Sequence, residues 1–328
     1  MDYSLTGKTL LITGGTGSFG QKFTEIALRD HHPKAIRIFS RGELLQIQME
    51  KRFNDDRLRF LIGDVRDRNR LSRAMNEVDV VVHAAALKHV PACEYNPIEA
   101  IRTNVDGTLN LIDAAIDSRV DRVILISTDK AVHPINLYGA TKMVAEKVMI
   151  QGNSYTGGEK PRFSCVRYGN VIGSRGSVIP LFLAQRKSGR ITITDERMTR
   201  FWIQLEQGVR FVISSLQRMQ GGEIFVPKLP SMRLMDLADA IAPEAEKVFT
   251  GVRPGEKIHE VLVTEDEARH TREFDNFFLI NPEHIYWGGS TLPGGRPITG
   301  DFHYSSQMNT HWLSKEDLQR ILMSEGWI

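Results

Sequence analysis

A tyrosine and a lysine stand one helical turn apart in the segment STDKAVHPINLYGATK, residues 127–142. Side chains at positions i and i+4 of a helix share one face, so Tyr138 and Lys142 are predicted to lie together. An ammonium near a phenol favours the phenolate, which can take a proton from an alcohol whose carbon gives up hydride. The same spacing also occurs on surface helices, so the position of this helix in the fold decides whether the pair is catalytic.

An aspartate and a second lysine, Asp129 and Lys130, precede this pair. Hydride transfer alone needs neither of them, whereas an elimination needs one further acid and one further base. A lysine can act as the base only when its amine is neutral, and an ordinary lysine pKa of about 10.4 keeps the amine charged near neutral pH. We therefore expect burial and Lys142 to lower the pKa of Lys130, against the opposite effect of Asp129. A solvated ion pair on a loop is the alternative.

The composition is that of an ordinary globular protein, with 328 residues of which 41% are hydrophobic and 25% charged. A formal net charge of +2 gives no electrostatic reason to expect a nucleic-acid or membrane partner. The ten histidines show no metal-binding spacing, so no metal site is predicted. Two cysteines cannot build the disulfide framework of a secreted scaffold, and no signal peptide is recognisable, so we expect a cytoplasmic protein.

Short apolar runs alternate with helical patterns over the first half of the chain. Runs of Val, Ile and Leu of this length are typical of strands buried on both faces, and their alternation with helices favours a parallel sheet. The predicted fold class is therefore α/β, a Rossmann-like doubly wound parallel sheet. The predicted strands are Thr9–Thr13, Ala35–Phe39, Leu58–Ile62, Val78–Ala85, Arg122–Ser127 and Phe163–Arg167.

Two helices are also indicated. Apolar residues at three- and four-residue steps predict one over Pro97–Arg119, and Ser314 with Asp317 predicts the N-terminus of the last one. After about Ser174 the regular rhythm stops. We expect residues 1–174 to form a nucleotide-binding domain with the catalytic residues, and residues 175–328 a smaller, mixed α/β substrate-binding region, with interleaved boundaries.

The segment TGGTGSFG follows the first predicted strand and precedes a helix. In that context backbone N–H groups and a helix N-terminus hold a pyrophosphate, although a turn used only for tight packing is the alternative. The predicted cofactor contacts in this turn are Gly14, Thr16, Gly17, Ser18, Phe19 and Gly20.

The end of the second strand indicates which dinucleotide binds. An acidic residue there usually accepts the ribose hydroxyls of NAD, whereas this chain has Ser40 and Arg41, which suit a 2′-phosphate. We therefore predict NADP, with Glu43 as the residue that argues for NAD. Further predicted contacts, several of which could equally be sheet packing, are Asp64, Val65, Ala84, Ala85 and Ala86.

Together these motifs resemble the extended short-chain dehydrogenase/reductase family of nucleotide-sugar enzymes. With AAALKHVPACEYNP, RYGNVIGSRGSVIP, MTRFW and RPGEKIHE, the chain is similar over nearly its full length to the inverting UDP-N-acetylglucosamine 4,6-dehydratases of pseudaminic acid synthesis. The resemblance implies that Asp129 is the acid that expels water, Lys130 the base at carbon 5, and Thr128 a contact near the 4-oxygen. Retaining relatives have Asp-Glu where this chain has Asp-Lys, which implies inversion at carbon 5.

The resemblance also implies UDP-N-acetylglucosamine as substrate, and a homo-oligomer that is often a hexamer in this family. Lys88 is predicted to contact both cofactor and sugar, while His89 remains open between a contact and a packing residue. The other predicted substrate contacts are Asn170 at the diphosphate, Arg200 and Arg253 at the two phosphates, and Glu256 at the uridine ribose.

Three other functions remain open. A UDP-sugar 4-epimerase and a retaining 4,6-dehydratase would use the same fold and the same Tyr138 and Lys142. A regulatory protein that binds NADP without turnover is a rival of a different class. The presence of Asp129 and Lys130 beside the other pair argues against that regulatory protein.

Overall fold

The central feature of the computed structural model is a ten-stranded sheet, within the residues that the structure describes, 3–157, 159–173, 178–288, 291–298 and 300–328. The strands are β1 (Thr9–Thr13), β2 (Ala35–Ser40), β3 (Leu58–Ile62), β4 (Val80–His83), β5 (Arg122–Ile126), β6 (Arg162–Val166), β7 (Asn170–Val171), β8 (Arg190–Ile193), β9 (Thr199–Ile203), β10 (Ile224–Pro227), β11 (Ser231–Arg233), β12 (Glu246–Phe249), β13 (Val261–Val263), β14 (Thr271–Glu273), β15 (Phe277–Ile280), β16 (Arg296–Pro297) and β17 (Tyr304–Ser305).

Helices connect these strands. They are α1 (Ser18–Ile26), α2 (Glu43–Phe53), α3 (Arg68–Met75), α4 (Val90–Tyr95), α5 (Pro97–Ile101), α6 (Gly107–Asp117), α7 (Leu137–Tyr155), α8 (Val178–Arg186), α9 (Leu205–Arg218), α10 (Leu234–Ile241), α11 (Glu265–Ala268) and α12 (Lys315–Ser324). A 3₁₀ turn, Asp129–Ala131, follows β5.

The order of the large sheet is β16-β14-β15-β10-β6-β5-β4-β1-β2-β3. From β3 to β10 every neighbouring pair is parallel, and β15, β14 and β16 add an antiparallel edge. The order runs outward from β1 in both directions, which creates a crevice beyond the carboxyl ends of β1 and β4. The predicted Rossmann-like α/β class is confirmed.

The predicted strands recur with small differences at their ends. The fourth is shorter than expected, because Ala84 leaves the sheet after His83 and the following residues form a loop. The central strands β1 and β4 are buried along their whole length, as continuous apolar runs in a covered parallel sheet require.

The helix predicted over Pro97–Arg119 is present, but a π-helical turn at Arg102–Asp106 separates α5 from α6. Its apolar stripe does not all face the core. Leu111 and Ile112 are buried, whereas Ile98 is 62% exposed. At the other end of the chain, Ser314 and Asp317 form the predicted capping box of α12.

The second half of the chain contributes to the large sheet as well as to a separate hydrophobic cluster. Strand β10 pairs with β6, so the sheet continues beyond the region that the sequence predicted to be strand-rich. A second core, built largely on β8, β9, α8, α10 and α12, packs apart from the main one. The division predicted between residues 174 and 175 falls outside the described residues and stays a prediction.

Two further features concern the whole described chain. Neither α7, the longest helix, nor any other helix in these ranges combines the length and apolar character needed to cross a bilayer. Cys93 and Cys165 are both buried and free.

Candidate active site

A cavity of about 910 Å³ opens at the carboxyl ends of the parallel strands. It is lined by the glycine turn, by the loops that follow β2, β3 and β4, and by the segment that follows β5. All but one of the predicted cofactor contacts lie on its wall, namely Gly14, Thr16, Gly17, Ser18, Phe19, Ser40, Arg41, Asp64, Val65, Ala84, Ala85, Ala86, Lys88, Tyr138 and Lys142. The tertiary structure therefore brings these separate sequence motifs to one place.

The glycine turn fits the close approach of a pyrophosphate. Gly14 has φ +67°, and a Cβ atom there would lie 2.9 Å from the backbone of Ala85. Gly20 lies behind the cavity wall, where a Cβ atom would overlap the carbonyl group of Gly15 and push α1 away from the turn. Ser18 and Phe19 form the first turn of α1 and line the cavity, so the helix N-terminus is directed toward it.

The residues predicted to select the dinucleotide lie at the end of β2 and at the cavity. Arg41 is exposed on the cavity wall after β2, while Ser40 accepts a 3.0 Å hydrogen bond on Oγ from Nε2 of Gln46. Glu43 begins α2 and is not among the described lining residues. Arg66 donates to Asp64, which holds the pKa of that carboxyl below its usual range although burial acts in the opposite direction.

Tyr138 and Lys142 lie near the start of α7, and both are buried. Asn136 caps this helix by accepting from the backbone N–H of Gly139 at 2.7 Å. Lys142 Nζ donates to the carbonyl oxygen of Ile126 at 2.7 Å, which anchors α7 to the end of β5. Burial lowers the pKa of Lys142 to about 8.

The Tyr138 phenol is held among groups of both charges. Burial raises the pKa of Tyr138 to about 12, while Lys130 and a hydrogen bond with Thr128 act in the opposite direction. Thr128 Oγ1 in turn donates to Oδ1 of Asp129 at 3.0 Å.

Asp129 and Lys130 form an ion pair that is buried at Asp129 and partly exposed at Lys130, since Asp129 has 0% exposure, the Lys130 side chain has 25%, and Lys130 Nζ lies 2.9 Å from Oδ1 of Asp129. The alternative of a solvated surface pair is therefore wrong. Oδ2 of Asp129 is buried without a hydrogen-bond partner among the described groups. Lys130 lines the cavity, whereas Asp129 is not among the described lining residues.

A second carboxylate, missed by the sequence analysis, contacts Lys130. Oε1 of Glu260 lies 3.4 Å from Lys130 Nζ, and Glu260 is only 2% exposed. Burial alone would lower the pKa of Lys130, but the carboxylates of Asp129 and Glu260 outweigh it and raise the pKa above its ordinary value. The predicted lowering is therefore wrong. The signal was present at the end of the quoted motif RPGEKIHE, but no local pattern brings it to Lys130.

The predicted substrate contacts divide into two groups. Lys88, His89 and Asn170 line the cavity, and Oδ1 of Asn170 is buried without a hydrogen-bond partner among the described groups. Arg200, Arg253 and Glu256 are not among the described lining residues.

Arg200 is engaged inside the protein. Its guanidinium donates to the carbonyl oxygens of Thr199, Lys257 and Ile258 at 2.7–2.9 Å. It also lies 3.6 Å from a carboxylate oxygen of Glu256. A role for these two residues at the nucleotide therefore rests on the resemblance, and the position of Arg200 explains instead how the segment 256–260 is held against β9.

Several cavity residues were not predicted, among them Phe39, Thr103, Ser127, Tyr168 and Leu205. Ser127 Oγ and Thr103 Oγ1 are buried polar atoms without hydrogen-bond partners among the described groups. Such atoms are normally satisfied, so they mark places where a bound polar molecule would complete the wall. Ser127 could have been found, because it directly follows a predicted strand at the same sheet edge.

Comparison with known proteins supports the same family as the motifs. The family model described as polysaccharide biosynthesis protein matches residues 10–282. An inverting UDP-N-acetylglucosamine 4,6-dehydratase from Campylobacter jejuni is 48% identical over 325 residues, covering 96% of this chain and 97% of that protein. A UDP-glucose 4-epimerase from Rickettsia bellii is 40% identical over 331 residues, covering 98% and 97%.

Two solved structures resemble the whole fold or most of it. Pen from Bacillus thuringiensis has a TM-score of 0.90 at 37% identity and covers 99% of both chains. The dTDP-glucose 4,6-dehydratase DesIV from Streptomyces venezuelae, solved with NAD and TYD bound, has a TM-score of 0.68 at 26% identity and covers 76% of this chain and 86% of that chain. The chain belongs to the polysaccharide biosynthesis protein family of extended short-chain dehydrogenase/reductase enzymes.

Proposed function

We propose that this chain is an NADP-dependent UDP-N-acetylglucosamine 4,6-dehydratase that inverts carbon 5. The observation that carries the proposal is the buried Asp129 and Lys130 pair beside Tyr138, at the wall of a cavity that fits a dinucleotide. A buried ion pair is costly to desolvate, so its presence at a ligand cavity favours a chemical role. The 48% identity to a protein named for this activity supports the same choice.

The cofactor site fits NADP in two respects. The glycine turn leaves room for a pyrophosphate beside the N-terminus of α1, and Arg41 offers a guanidinium on the wall of the cavity. When bound, the nicotinamide would accept hydride from carbon 4 of the sugar and return it at carbon 6. Lys142, on the same wall, would hydrogen-bond the nicotinamide ribose.

Tyr138 would take the proton from the 4-hydroxyl group. A pKa of about 12 for Tyr138 is too high for a phenolate near neutrality, so further positive charge is needed when the ligands bind. Lys130 already acts in that direction. Thr128, which also acts to lower the pKa of Tyr138, would lie near the 4-oxygen.

Asp129 and Lys130 would then complete the elimination of water. The Lys130 amine takes the proton from carbon 5, the electrons of that C–H bond form the C5–C6 double bond, and the C6–O bond breaks. Asp129 gives its proton to the departing 6-hydroxyl, which leaves as water. Addition of a proton from water to carbon 5 on the opposite face, with release to solvent of the proton that Tyr138 took from the 4-hydroxyl, would invert that centre and restore the starting protonation states.

The protonation states that this step needs arise without net proton uptake. In the ion pair the proton is on Lys130, and the hydrogen bond to Asp129 is 2.9 Å long. Transfer of that one proton along the bond converts an ammonium and a carboxylate into the amine and the carboxylic acid that the elimination requires. A closed, water-poor site favours the neutral form of such a pair.

A UDP-sugar 4-epimerase is the second candidate, favoured by the 40% identical relative that carries that name. That reaction returns hydride to carbon 4 and uses Tyr138 but no second acid and base. It leaves the buried Asp129 and Lys130 without a chemical role.

The test is nuclear magnetic resonance of the product made from UDP-N-acetylglucosamine and NADP in heavy water. The proposal expects a 4-keto sugar that has lost the 6-hydroxyl group, with deuterium at carbon 5 and the inverted configuration there. Retention at carbon 5 would indicate the retaining dehydratase. A product that keeps its 6-hydroxyl and is changed only at carbon 4 would establish the epimerase, and absence of any product would support a regulatory role.

A further inference from the structure

The carboxylate of Glu260 is fixed against Lys130 by the fold. Its backbone is held from both sides, because Ser306 donates its backbone N–H to the Glu260 carbonyl oxygen at 2.8 Å and accepts the Glu260 N–H on Oγ at 2.9 Å. Oε1 lies 3.4 Å from Lys130 Nζ. Oε2 is buried and accepts no hydrogen bond from the described groups. Glu260 thus directs an incompletely satisfied carboxylate at the lysine of the proposed active site.

The charges around Lys130 are balanced and come from several elements. Glu260 also lies 3.8 Å from Arg200 on β9 and 3.7 Å from Lys257 in its own segment. The other groups that face this cluster are Asp129 in the 3₁₀ turn, Tyr138 on α7, and Glu256, which lies against Arg200. Within the described chain the cluster therefore contains three carboxylates and three cations.

We propose that Glu260 is a positioning residue that holds the Lys130 side chain beside Asp129 and sets the pH at which Lys130 becomes a neutral amine. Its role in catalysis rests on the proposed dehydratase function, but its effect on Lys130 does not. Two carboxylates within contact distance of one ammonium stabilise the charged form. Removing the charge of Glu260 leaves only Asp129 to oppose burial.

The direct test measures how fast Lys130 reacts with acetic anhydride as a function of pH, since only the neutral amine reacts. Lys130 is 25% exposed in its side chain and accessible to a small reagent. The full-length chain is labelled without substrate, and acetylation of each lysine is measured by mass spectrometry. In Glu260→Gln we expect the Lys130 profile to move to lower pH by about one unit, so that the labelling rate at a fixed pH near neutrality rises about tenfold.

Two variants serve as controls. Glu260→Asp keeps the charge and should retain a profile close to that of the wild type. Glu267→Gln makes the same change at a partly buried carboxylate that is paired with Arg167 rather than Lys130. It should leave the Lys130 profile unchanged, even though it removes part of a buried ion pair. If Glu260→Gln does not fold, Glu260→Met removes the same charge with an apolar side chain of similar size and carries the same expectation.

The outcomes separate this inference from the proposed function. An unchanged Lys130 profile in the folded variant would overturn the role of Glu260, whatever the enzyme does. A shifted profile in a protein that makes no dehydrated product would support the effect on Lys130 and reject the dehydratase. With an active enzyme, the alkaline limb of the kcat/KM profile, where the Lys130 and Asp129 pair loses its one proton, should move to lower pH in Glu260→Gln, whereas an equal loss at every pH would mean that Glu260 is merely structural.

Discussion

Lys130 Nζ lies 2.9 Å from Oδ1 of Asp129, a carboxylate that has no exposed surface. Two consecutive residues thereby place one shared proton at the wall of the ligand cavity. The proposed elimination needs an acid and a base at the same time, and this pair supplies both through a single proton shift. The fold thus places beside Tyr138 the two groups that distinguish a dehydratase from a simple epimerase.

Replacement of Lys130 tests whether it is the base. In Lys130→Ala we expect kcat for dehydration to fall roughly a thousandfold, because a positioned general base contributes about that much. NADP and UDP binding, measured by isothermal titration calorimetry, should stay close to wild type. Lys34→Ala is the matched control, since this exposed lysine precedes β2 at the opposite edge of the sheet. A Lys130→Ala enzyme with most of its activity would remove Lys130 from the mechanism.

Replacement of Arg41 tests the choice of dinucleotide. Its guanidinium is exposed on the cavity wall directly after β2. In Arg41→Glu the dissociation constant of NADP should rise by about tenfold or more, because a charge-assisted contact to phosphate is lost and replaced by repulsion. The affinity for NAD should rise in the same variant. Arg59→Glu, an exposed arginine on the neighbouring strand β3, should change neither constant, and an unchanged preference in Arg41→Glu would refute the predicted 2′-phosphate contact.

Replacement of Gly139 tests how closely α7 must approach the 3₁₀ turn that contains Asp129 and Lys130. A Cβ atom at this position would overlap the carbonyl oxygen of Lys130. Gly139→Ala should therefore displace Lys130 from Tyr138 and lower kcat by roughly a hundredfold, the loss expected for a misplacement of about 1 Å. Gly208→Ala, on α9, is the matched control, because its Cβ atom would make an ordinary contact of 3.6 Å with Ile203. Equal activity of the two variants would contradict this role of Gly139.

The buried Lys142 should make the free energy of unfolding depend on pH. Burial lowers its pKa from 10.5 to about 8, so between these values the unfolded chain binds more protons than the folded one. The contribution of Lys142 to stability therefore rises with pH across that window and is least favourable below pH 8. The free energy of unfolding of the wild type, relative to Lys142→Met, should increase by about 3 kcal/mol across the window.

Urea denaturation followed by circular dichroism, at several pH values across that window, measures this difference. Effects of all other groups cancel between the two proteins to a first approximation. The exposed Lys34→Met should keep a constant difference from the wild type. A constant difference for Lys142→Met would mean that its ammonium is not desolvated in the fold.

The local patterns of the sequence were sufficient to predict the strands β1 to β6, the glycine turn and the N-terminus of α12. Each depends on residues that are close together in the chain, such as an apolar run, a group of glycines or a capping side chain. The same patterns did not predict β10, whose four residues form too short a run to be distinguished from other buried segments. They also did not predict the π turn between α5 and α6 or the exposure of Ile98.

The sequence by itself determined which chemical groups this protein has: a phenol and a lysine on one helix face, an adjacent aspartate and lysine, and a glycine turn for a dinucleotide. Only the tertiary structure decided their electrostatic state. Glu260 and Arg200 come to Lys130 from distant segments, and the balance between burial and two carboxylates sets the charge of that lysine. Coulomb interactions depend on distance in space, and long-range packing rather than sequence spacing sets that distance.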